Sequence, residues 1–61
     1  MPFIRISMYS GRSHELKKEL ATKVTDATAE TLDVPKDWVA VVYDEIPKSD
    51  WAVGGELPDP E

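Results

Sequence analysis

Pro2 is the residue of this sequence with the clearest chemical potential, because it directly follows Met1. If Met1 is removed, as is common before a small second residue, Pro2 becomes a free secondary amine at the start of an extended segment. An α-amino group has an unperturbed pKa of roughly 8, and an apolar pocket with a nearby cation lowers that pKa toward neutrality. Proton-transfer catalysis needs a base of this kind. Pro2 is therefore a candidate general base, and a proline that merely begins a strand is the alternative.

Arg12 is a second candidate, because stability does not explain a cation just before a helix. The positive end of the helix dipole favours anions there. Beside the free N–H groups of a helix start, a guanidinium forms a corner suited to bidentate binding of a carboxylate. From spacing alone, a solvated loop arginine is an equally good interpretation.

The remaining side chains of interest are aromatic or titratable. Trp38 is expected in the core, at the head of a second strand, whereas Trp51 is expected near a contact between copies, where it would wall an apolar pocket. His14 is interpreted as an exposed residue of the first helical turn. Asp44 and Glu45 are neighbours in a strand and point to opposite faces, so they are not a glycosidase-type pair. The sequence carries no phosphate loop, nucleophile elbow or metal motif.

Size and composition predict self-association. The 61 residues make one domain, residues 1–61, and a chain this short buries only about 60% of its unfolded surface. There is no Cys and only one His, so neither a disulfide nor a His/Cys metal site supplements the core. Oligomerisation is the remaining way to stabilise so small a core. We expect a homo-oligomer without a metal.

The net charge excludes one class of partner. The sequence has seven Lys and Arg and 12 Asp and Glu, which gives a net charge of −5. The cations form no stripe that would bind nucleic acid. No apolar run approaches the roughly 20 residues of a membrane helix, and the N-terminus lacks a signal-peptide layout. A cytoplasmic protein without nucleic-acid or membrane partners is expected.

The pattern of apolar residues predicts a strand and then a helix. Residues 2–9 alternate as in a strand, with Phe3 and Tyr9 on a face that needs cover. The helix is predicted from about His14 to Leu32, with Ser13 as its N-cap. The stripe predicted to face the sheet comprises Leu16, Leu20, Val24 and Ala27, with Ala21 and Leu32 beside it. The residues assigned to the solvated face are Lys17, Lys18, Lys23, Asp26 and Glu30.

A second strand completes the fold. Pro35 ends the helix, and residues 38–43 are apolar without alternation, as in a strand buried on both faces. The predicted class is α+β: a short β-α-β unit with parallel strands, followed at residues 51–55, which end in a glycine pair, by a small hairpin or by a strand that reaches onto a neighbouring copy. One face of the sheet would be bare, and this face is the predicted oligomer contact.

Three segments together resemble the 4-oxalocrotonate tautomerase family, within the macrophage migration inhibitory factor superfamily. They are MPFIRI (residues 1–6), GRS (11–13) and WAVGGEL (51–57). The resemblance covers nearly the whole chain, in order and with matching lengths. It implies a dimer with a four-stranded sheet, a hexamer built as a trimer of dimers, and a cofactor-free isomerase that interconverts keto and enol groups.

The resemblance also implies roles for individual residues. Pro2 would take a proton from a 2-hydroxydienoate or enol hydroxyl and return it to carbon. Arg12, from a neighbouring subunit, would bind the substrate carboxylate. Trp51 would help form the apolar pocket, and the backbone amide of Tyr9 would lie near the substrate.

One position departs from the family pattern. Where 2-hydroxymuconate tautomerases carry a second arginine, in the second strand, this chain has Ala40. Without this second arginine, the site would lose a few kcal/mol of transition-state stabilisation. Either the substrate is a smaller monoacid enol, or Lys36, Arg5 or backbone amides replace the missing group.

Two other functions compete with the isomerase. The same superfamily dehalogenates or hydrates unsaturated acids with a protonated amino-terminal proline, but no carboxylate is clearly positioned here to activate water. The chain would be a catalytically inactive oligomeric member if Met1 stayed in place, because acylation abolishes the basicity of the prolyl nitrogen.

Overall fold

The computed structural model of the chain describes residues 1–60 and has the predicted β-α-β architecture. Its elements are β1 (Phe3–Tyr9), α1 (His14–Leu32), a 3-10 helix (Lys36–Trp38), β2 (Ala40–Ile46) and a second 3-10 helix (Lys48–Asp50). The two strands pair in parallel. Parallel pairing requires a crossover connection, and α1 provides it.

The side chains of β1 alternate between the two faces of the sheet, as predicted. The half-buried residues Ile4, Ile6 and Met8 alternate with the exposed residues Phe3, Arg5 and Ser7, and Tyr9 at the strand end is half-buried as well. The strands are in register from Phe3 opposite Ala40 to Tyr9 opposite Ile46. Tyr43, opposite Ile6, donates its hydroxyl to the Lys17 carbonyl oxygen at 2.7 Å. The face that contains Ile6 and Tyr43 is therefore the one that α1 covers.

Both ends of α1 are determined by local chemistry. Ser13 caps the first turn, because its Oγ accepts from the Leu16 N–H at 3.2 Å. At the other end Asp33 takes the left-handed conformation (φ 57°), and its N–H donates to the Ala29 carbonyl oxygen. The predicted bounds of the helix and its N-cap are confirmed.

The predicted apolar stripe of α1 is largely wrong. Leu16 and Leu32 are 57% and 56% exposed, whereas Ala29 is only 7% exposed. The residues that turn toward the sheet are mostly small, namely Ala21, Val24, Thr25, Thr28 and Ala29. Lys17, assigned to the solvated face, instead lies against β2 and binds Glu45 at 2.8 Å. Small side chains allow the helix to lie close to a sheet of only two strands.

The prediction for Trp38 is also wrong. Its backbone N–H donates to the Pro35 carbonyl oxygen at 3.0 Å, which forms the 3-10 helix. The residue is 50% exposed. The second strand therefore begins two residues later than predicted, at Ala40, and continues to Ile46. Because Trp38 precedes the strand, it does not reach the core between helix and sheet.

The other face of the sheet is bare, as predicted. Phe3 and Val42 on this face are 58% and 37% exposed. Arg5 and Asp44 form an ion pair there, with 3.2 Å between Nε and Oδ2. Asp44 and Glu45 thus point to opposite faces, as predicted.

The C-terminal segment forms the predicted hairpin. Val53 and Glu56 exchange two backbone hydrogen bonds of 3.1 and 3.0 Å. Gly54 and Gly55 between them have φ of 63° and 83°, which glycine adopts without strain. Within residues 1–60, no helix combines the length and the apolar character needed to cross a membrane.

Candidate active site

Pro2 is held in place through its carbonyl group. The Ala40 N–H donates to the Pro2 carbonyl oxygen at 3.0 Å, which joins the start of β1 to β2. A proline nitrogen has no hydrogen to donate, so the sheet makes no use of it. Met1, on the other side of that nitrogen, is 90% exposed. The nitrogen of Pro2 therefore lies at a fixed position, next to a residue that is accessible for removal.

Tyr9 and Trp51 contact each other at the opposite end of β1. Their ring centroids are 4.8 Å apart, with an interplanar angle of 61°, an edge-to-face arrangement. The Trp51 N–H donates to the Lys48 carbonyl oxygen at 3.1 Å and closes the turn that follows β2. The two aromatic residues singled out for the site thus form one apolar wall.

The backbone N–H of Tyr9 points away from β2. Along a strand, successive residues direct their N–H and C=O groups to alternate sides. The Pro2 carbonyl and the Ser10 N–H both bond to β2, to Ala40 and Ile46 respectively. Residues 2 and 10 are even-numbered, so the odd-numbered residues of β1 direct their backbone groups away from β2. The Tyr9 N–H therefore lies at the free edge of β1, where a ligand or another strand can accept from it.

Arg12 is a cation that forms no ion pair with any other residue of the described range 1–60. Gly11, with φ of 117°, turns the chain out of β1 and into the helix, and Arg12 follows it. Arg12 is exposed and lines an open groove of about 290 Å³ together with Met8, Leu16 and Leu20. Among the side-chain hydrogen bonds and ion pairs of residues 1–60, none involves Arg12.

The candidate site residues do not all meet within one protomer. Pro2 lies at the start of β1, which we call the proline end, and Tyr9, Arg12 and Trp51 lie at the other, which we call the aromatic end. Seven residue steps at roughly 3.3 Å each separate the two ends by about 23 Å. A single copy therefore presents two incomplete parts of a site.

The cations considered as replacements near Ala40 already have acidic partners. Lys36 contacts Asp26 at 2.8 Å, and the pKa of its ammonium is raised by that hydrogen bond and by the charge of Asp26. Arg5, on the same sheet face as Ala40, is paired with Asp44. An anion bound by either cation would have to compete with a carboxylate that is already there.

Lys48 also lies near the aromatic end, although the sequence did not predict a contact there. Its ammonium nitrogen lies 5.6 Å from the centroid of the Tyr9 ring. The only signal in the sequence is its position three residues before Trp51, across a turn. Within the described part of the chain, no group of three or more His, Asp and Glu side chains is arranged to hold a metal ion.

Comparison with known proteins identifies the family. A family model described as tautomerase enzyme matches residues 2–59. The chain belongs to the tautomerase family. It is 43% identical over 56 residues to a probable tautomerase of Bacillus cereus, with 92% of each chain covered. A probable tautomerase of Listeria innocua is 42% identical over 55 residues, with 90% of each chain covered.

A solved structure supports the same conclusion for the fold. A heterohexameric 4-oxalocrotonate tautomerase from Chloroflexus aurantiacus superimposes with a TM-score of 0.88 at 42% identity, covering 93% of this chain and 92% of that one. The resemblance inferred from three short segments and the β-α-β fold of this tautomerase are thereby confirmed.

Proposed function

We propose that this tautomerase is a keto-enol isomerase of small unsaturated 2-hydroxy and 2-oxo acids, in which Pro2 is the general base after Met1 is removed. The observation that carries the proposal is the way Pro2 is anchored. The sheet bonds its carbonyl group to Ala40 at 3.0 Å, makes no use of its nitrogen, and leaves Met1 exposed. Once Met1 is removed, this arrangement would present a secondary amine at a fixed position.

The reaction needs no oxidant or reductant. The Pro2 nitrogen takes the proton of the 2-hydroxyl group, the O–H electron pair becomes the C=O bond, and the enol double bond shifts to take up a proton at carbon. The prolinium ion returns the proton to that carbon. Bonds are rearranged within one molecule, so the product is an isomer of the substrate.

Three residues at the aromatic end complete the proposed site. Arg12 binds the substrate carboxylate through its planar fork. Tyr9 and Trp51 supply an apolar wall, which lowers the pKa of the nearby amine by disfavouring its charged form. The Tyr9 N–H, at the free edge of β1, donates to a substrate oxygen.

A second copy of the chain has to supply the aromatic end. The separation of about 23 Å along β1 is far longer than a small acid. Two β1 strands that pair edge to edge in opposite directions would place the proline end of one copy at the aromatic end of the other. Such a pair would have a four-stranded sheet with a bare face on each copy. We propose a homohexamer, built as a trimer of these dimers, and the heterohexameric relative supports an assembly of this size.

Substitution of Pro2 tests the proposed function. Intact mass first establishes that Met1 is absent, and phenylpyruvate and 2-hydroxymuconate are then assayed as substrates. Because general base catalysis contributes about 10²- to 10⁴-fold, we expect Pro2→Ala to lower kcat/KM on the better substrate by a factor in that range. Pro60→Ala, in the tail, is the matched control and should retain wild-type activity. Undiminished turnover in Pro2→Ala, or turnover by protein that retains Met1, would contradict the proposal.

A further inference from the structure

The bare face of the sheet carries two charged side chains on a mostly apolar surface. Every second residue of β1 and β2 lies on this face, and among these strand residues Arg5 and Asp44 are the charged ones. The others are Phe3, Ser7, Tyr9, Ala40, Val42 and Ile46. Charges are costly to remove from water unless they are paired. A partner that covers this face must therefore offer apolar contact and also compensate both charges.

Arg5 and Asp44 are oriented along the face by contacts within one copy. Nε of Arg5 lies 3.2 Å from Oδ2 of Asp44, and the guanidinium carbon lies 5.7 Å from the centroid of the Phe3 ring. The two side chains nevertheless remain 61% and 42% exposed. A guanidinium has five N–H donors and a carboxylate accepts through both oxygens. The pair is thus formed in advance, and each of its groups has capacity for a further partner.

The distribution of charge indicates that the partner is a second copy of the chain. The chain has a net charge of −5, so two copies repel each other over much of their surface. The bare face is neutral by contrast, because Arg5 and Asp44 balance each other. A face with one charge of each sign is complementary to itself, since a symmetric contact places the cation of one copy beside the anion of the other. A basic partner would instead be matched by a face with excess acid.

We propose that copies pack through their bare sheet faces and that Arg5 of one copy binds Asp44 of another, so that this face selects further copies of the same chain. The inference builds on the proposed assembly and adds the contact between its dimers. Each charged group then has one partner in its own copy and one in the neighbouring copy. This compensates both charges where the apolar residues around them lose contact with water. A chain without the pair would leave the charges of its neighbour uncompensated and would be disfavoured.

Charge reversal on the face tests the proposed contact. Arg5→Asp leaves two acids on the face, and Asp44→Arg leaves two cations. Because like charges then meet between copies, we expect each variant alone to need at least about tenfold more protein than wild type to form the hexamer. Sedimentation velocity over a dilution series measures this concentration.

Refolding the two variants together distinguishes a contact between copies from an ion pair within one copy. In the equal mixture, an acidic face meets a basic face, although neither chain has regained a pair of its own. We expect hexamers to form again at the wild-type concentration, and native mass spectrometry should find both chains in them. The double variant Arg5→Asp/Asp44→Arg restores one charge of each sign and should assemble alone. It also shows that the two reversed side chains are compatible with the fold.

The ion pair between Asp26 and Lys36 provides the matched control. Its two groups are 2.8 Å apart and its side chains are 50% and 68% exposed, close to the values for Arg5 and Asp44. The pair joins α1 to the first 3-10 helix, and α1 covers the opposite face of the sheet. Asp26→Lys and Lys36→Asp change the net charge by the same amounts and should leave hexamer formation unchanged.

Four results would overturn the inference. They are a wild-type protein that does not assemble beyond a dimer, single face variants that assemble as wild type does, a mixture that stays dissociated, and control variants that dissociate as readily as the face variants.

Failure of this inference and failure of the proposed isomerase activity give different results. Assembly is measured without substrate, so turnover that persists in Pro2→Ala would refute the chemistry and leave the charge-reversal results standing. If the charge contact is wrong, the mixture stays dissociated while Pro2→Ala still lowers turnover.

Discussion

At the scale of single residues, proline suits the position immediately before β1 because its two backbone groups have separate uses. The carbonyl of Pro2 accepts from Ala40 and holds the strand end. The nitrogen has no hydrogen that the fold would need once the chain is folded. A primary amine on another residue would keep more rotational freedom, since the pyrrolidine ring fixes the direction of the nitrogen. The same residue therefore serves both the sheet and the proposed chemistry.

The proposed base predicts how activity depends on pH. The Pro2 amine must be neutral to accept a proton, so kcat/KM should fall as pH decreases through the pKa of the amine. Because the apolar wall disfavours the charged form, we expect this pKa to lie below the roughly 8 of an unperturbed α-amino group. A pH profile of kcat/KM on a substrate that does not titrate in the range measures it. Trp51→Ala, which opens the wall, should shift the pKa back upward, and an unchanged profile would contradict the assigned role of Trp51.

Pro2, Arg12 and Trp51 could be proposed as candidate site residues from the sequence, whereas the contact between Lys48 and Tyr9 could not be predicted from it. Pro2, Arg12 and Trp51 stand in short recognisable segments, so their types and order are sufficient to propose roles. The position of Lys48 over the Tyr9 ring depends on how the turn after β2 packs against the end of β1. That is a tertiary contact between residues distant in sequence, and no local pattern indicates it.

At the scale of elements, α1 shows why its length was predictable and its orientation was not. The cap at Ser13 and the end near Pro35 are local signals, and the bounds of the helix follow from them. The apolar pattern of a helix reports every surface that will be covered, whether by the same chain or by another copy. Leu16 and Leu20 lie along the groove beside Met8, and they are not buried between the helix and the sheet. The sequence pattern alone does not distinguish the two kinds of contact.

The connection between α1 and β2 predicts a measurable loss of stability. The Lys17–Glu45 pair has side chains that are 20% and 32% exposed, the most protected ion pair among residues 1–60. We expect Glu45→Gln to lower the free energy of unfolding by about 1 kcal/mol, the upper end for pairs that are partly exposed. Thermal unfolding at fixed protein concentration measures this loss.

The pair between Glu19 and Lys23 provides the control for that measurement. Its side chains are 64% and 73% exposed and lie one helical turn apart. Glu19→Gln should cost only about 0.3 to 0.5 kcal/mol. If the two variants lost equal stability, the Lys17–Glu45 contact would have no special part in holding the helix to the sheet.

At the scale of the whole molecule, the protomer has only a minimal core between helix and sheet within residues 1–60. Ala29 is the only hydrophobic residue of the described chain that is classed as buried. Large apolar side chains remain exposed on the bare sheet face, on the helix and in the hairpin, among them Phe3, Val42, Leu16, Leu20 and Val53. Burial of these surfaces between copies, as in the oligomer that we propose, would give so small a chain additional stability.

Mixing two inactive variants tests whether sites are shared between copies. Pro2→Ala and Arg12→Ala each remove one part of every site, and neither should be active alone. If Pro2 and Arg12 of a site come from different copies, refolding an equal mixture should restore about one quarter of wild-type activity, because each half of a site is intact with even odds. Activity of the mixture measures this directly.

The same mixture needs a check that the copies have exchanged. Native mass spectrometry resolves mixed oligomers, because the two substitutions change the mass of the chain by different amounts. Mixed oligomers without recovered activity would mean that Pro2 and Arg12 act within one copy, and the proposed arrangement of β1 strands would then be wrong.

The exposed position of Met1 bears on the proposed removal of this residue. Loss of this residue removes no hydrogen bond from the sheet, because the fold is joined to Pro2 only through its carbonyl. The nitrogen, by contrast, changes from a non-basic amide to an amine. If Pro2 is the base that we propose, the chain that keeps Met1 is a latent form, and removal of Met1 would supply the basic nitrogen while the hydrogen bond between Pro2 and Ala40 stays in place.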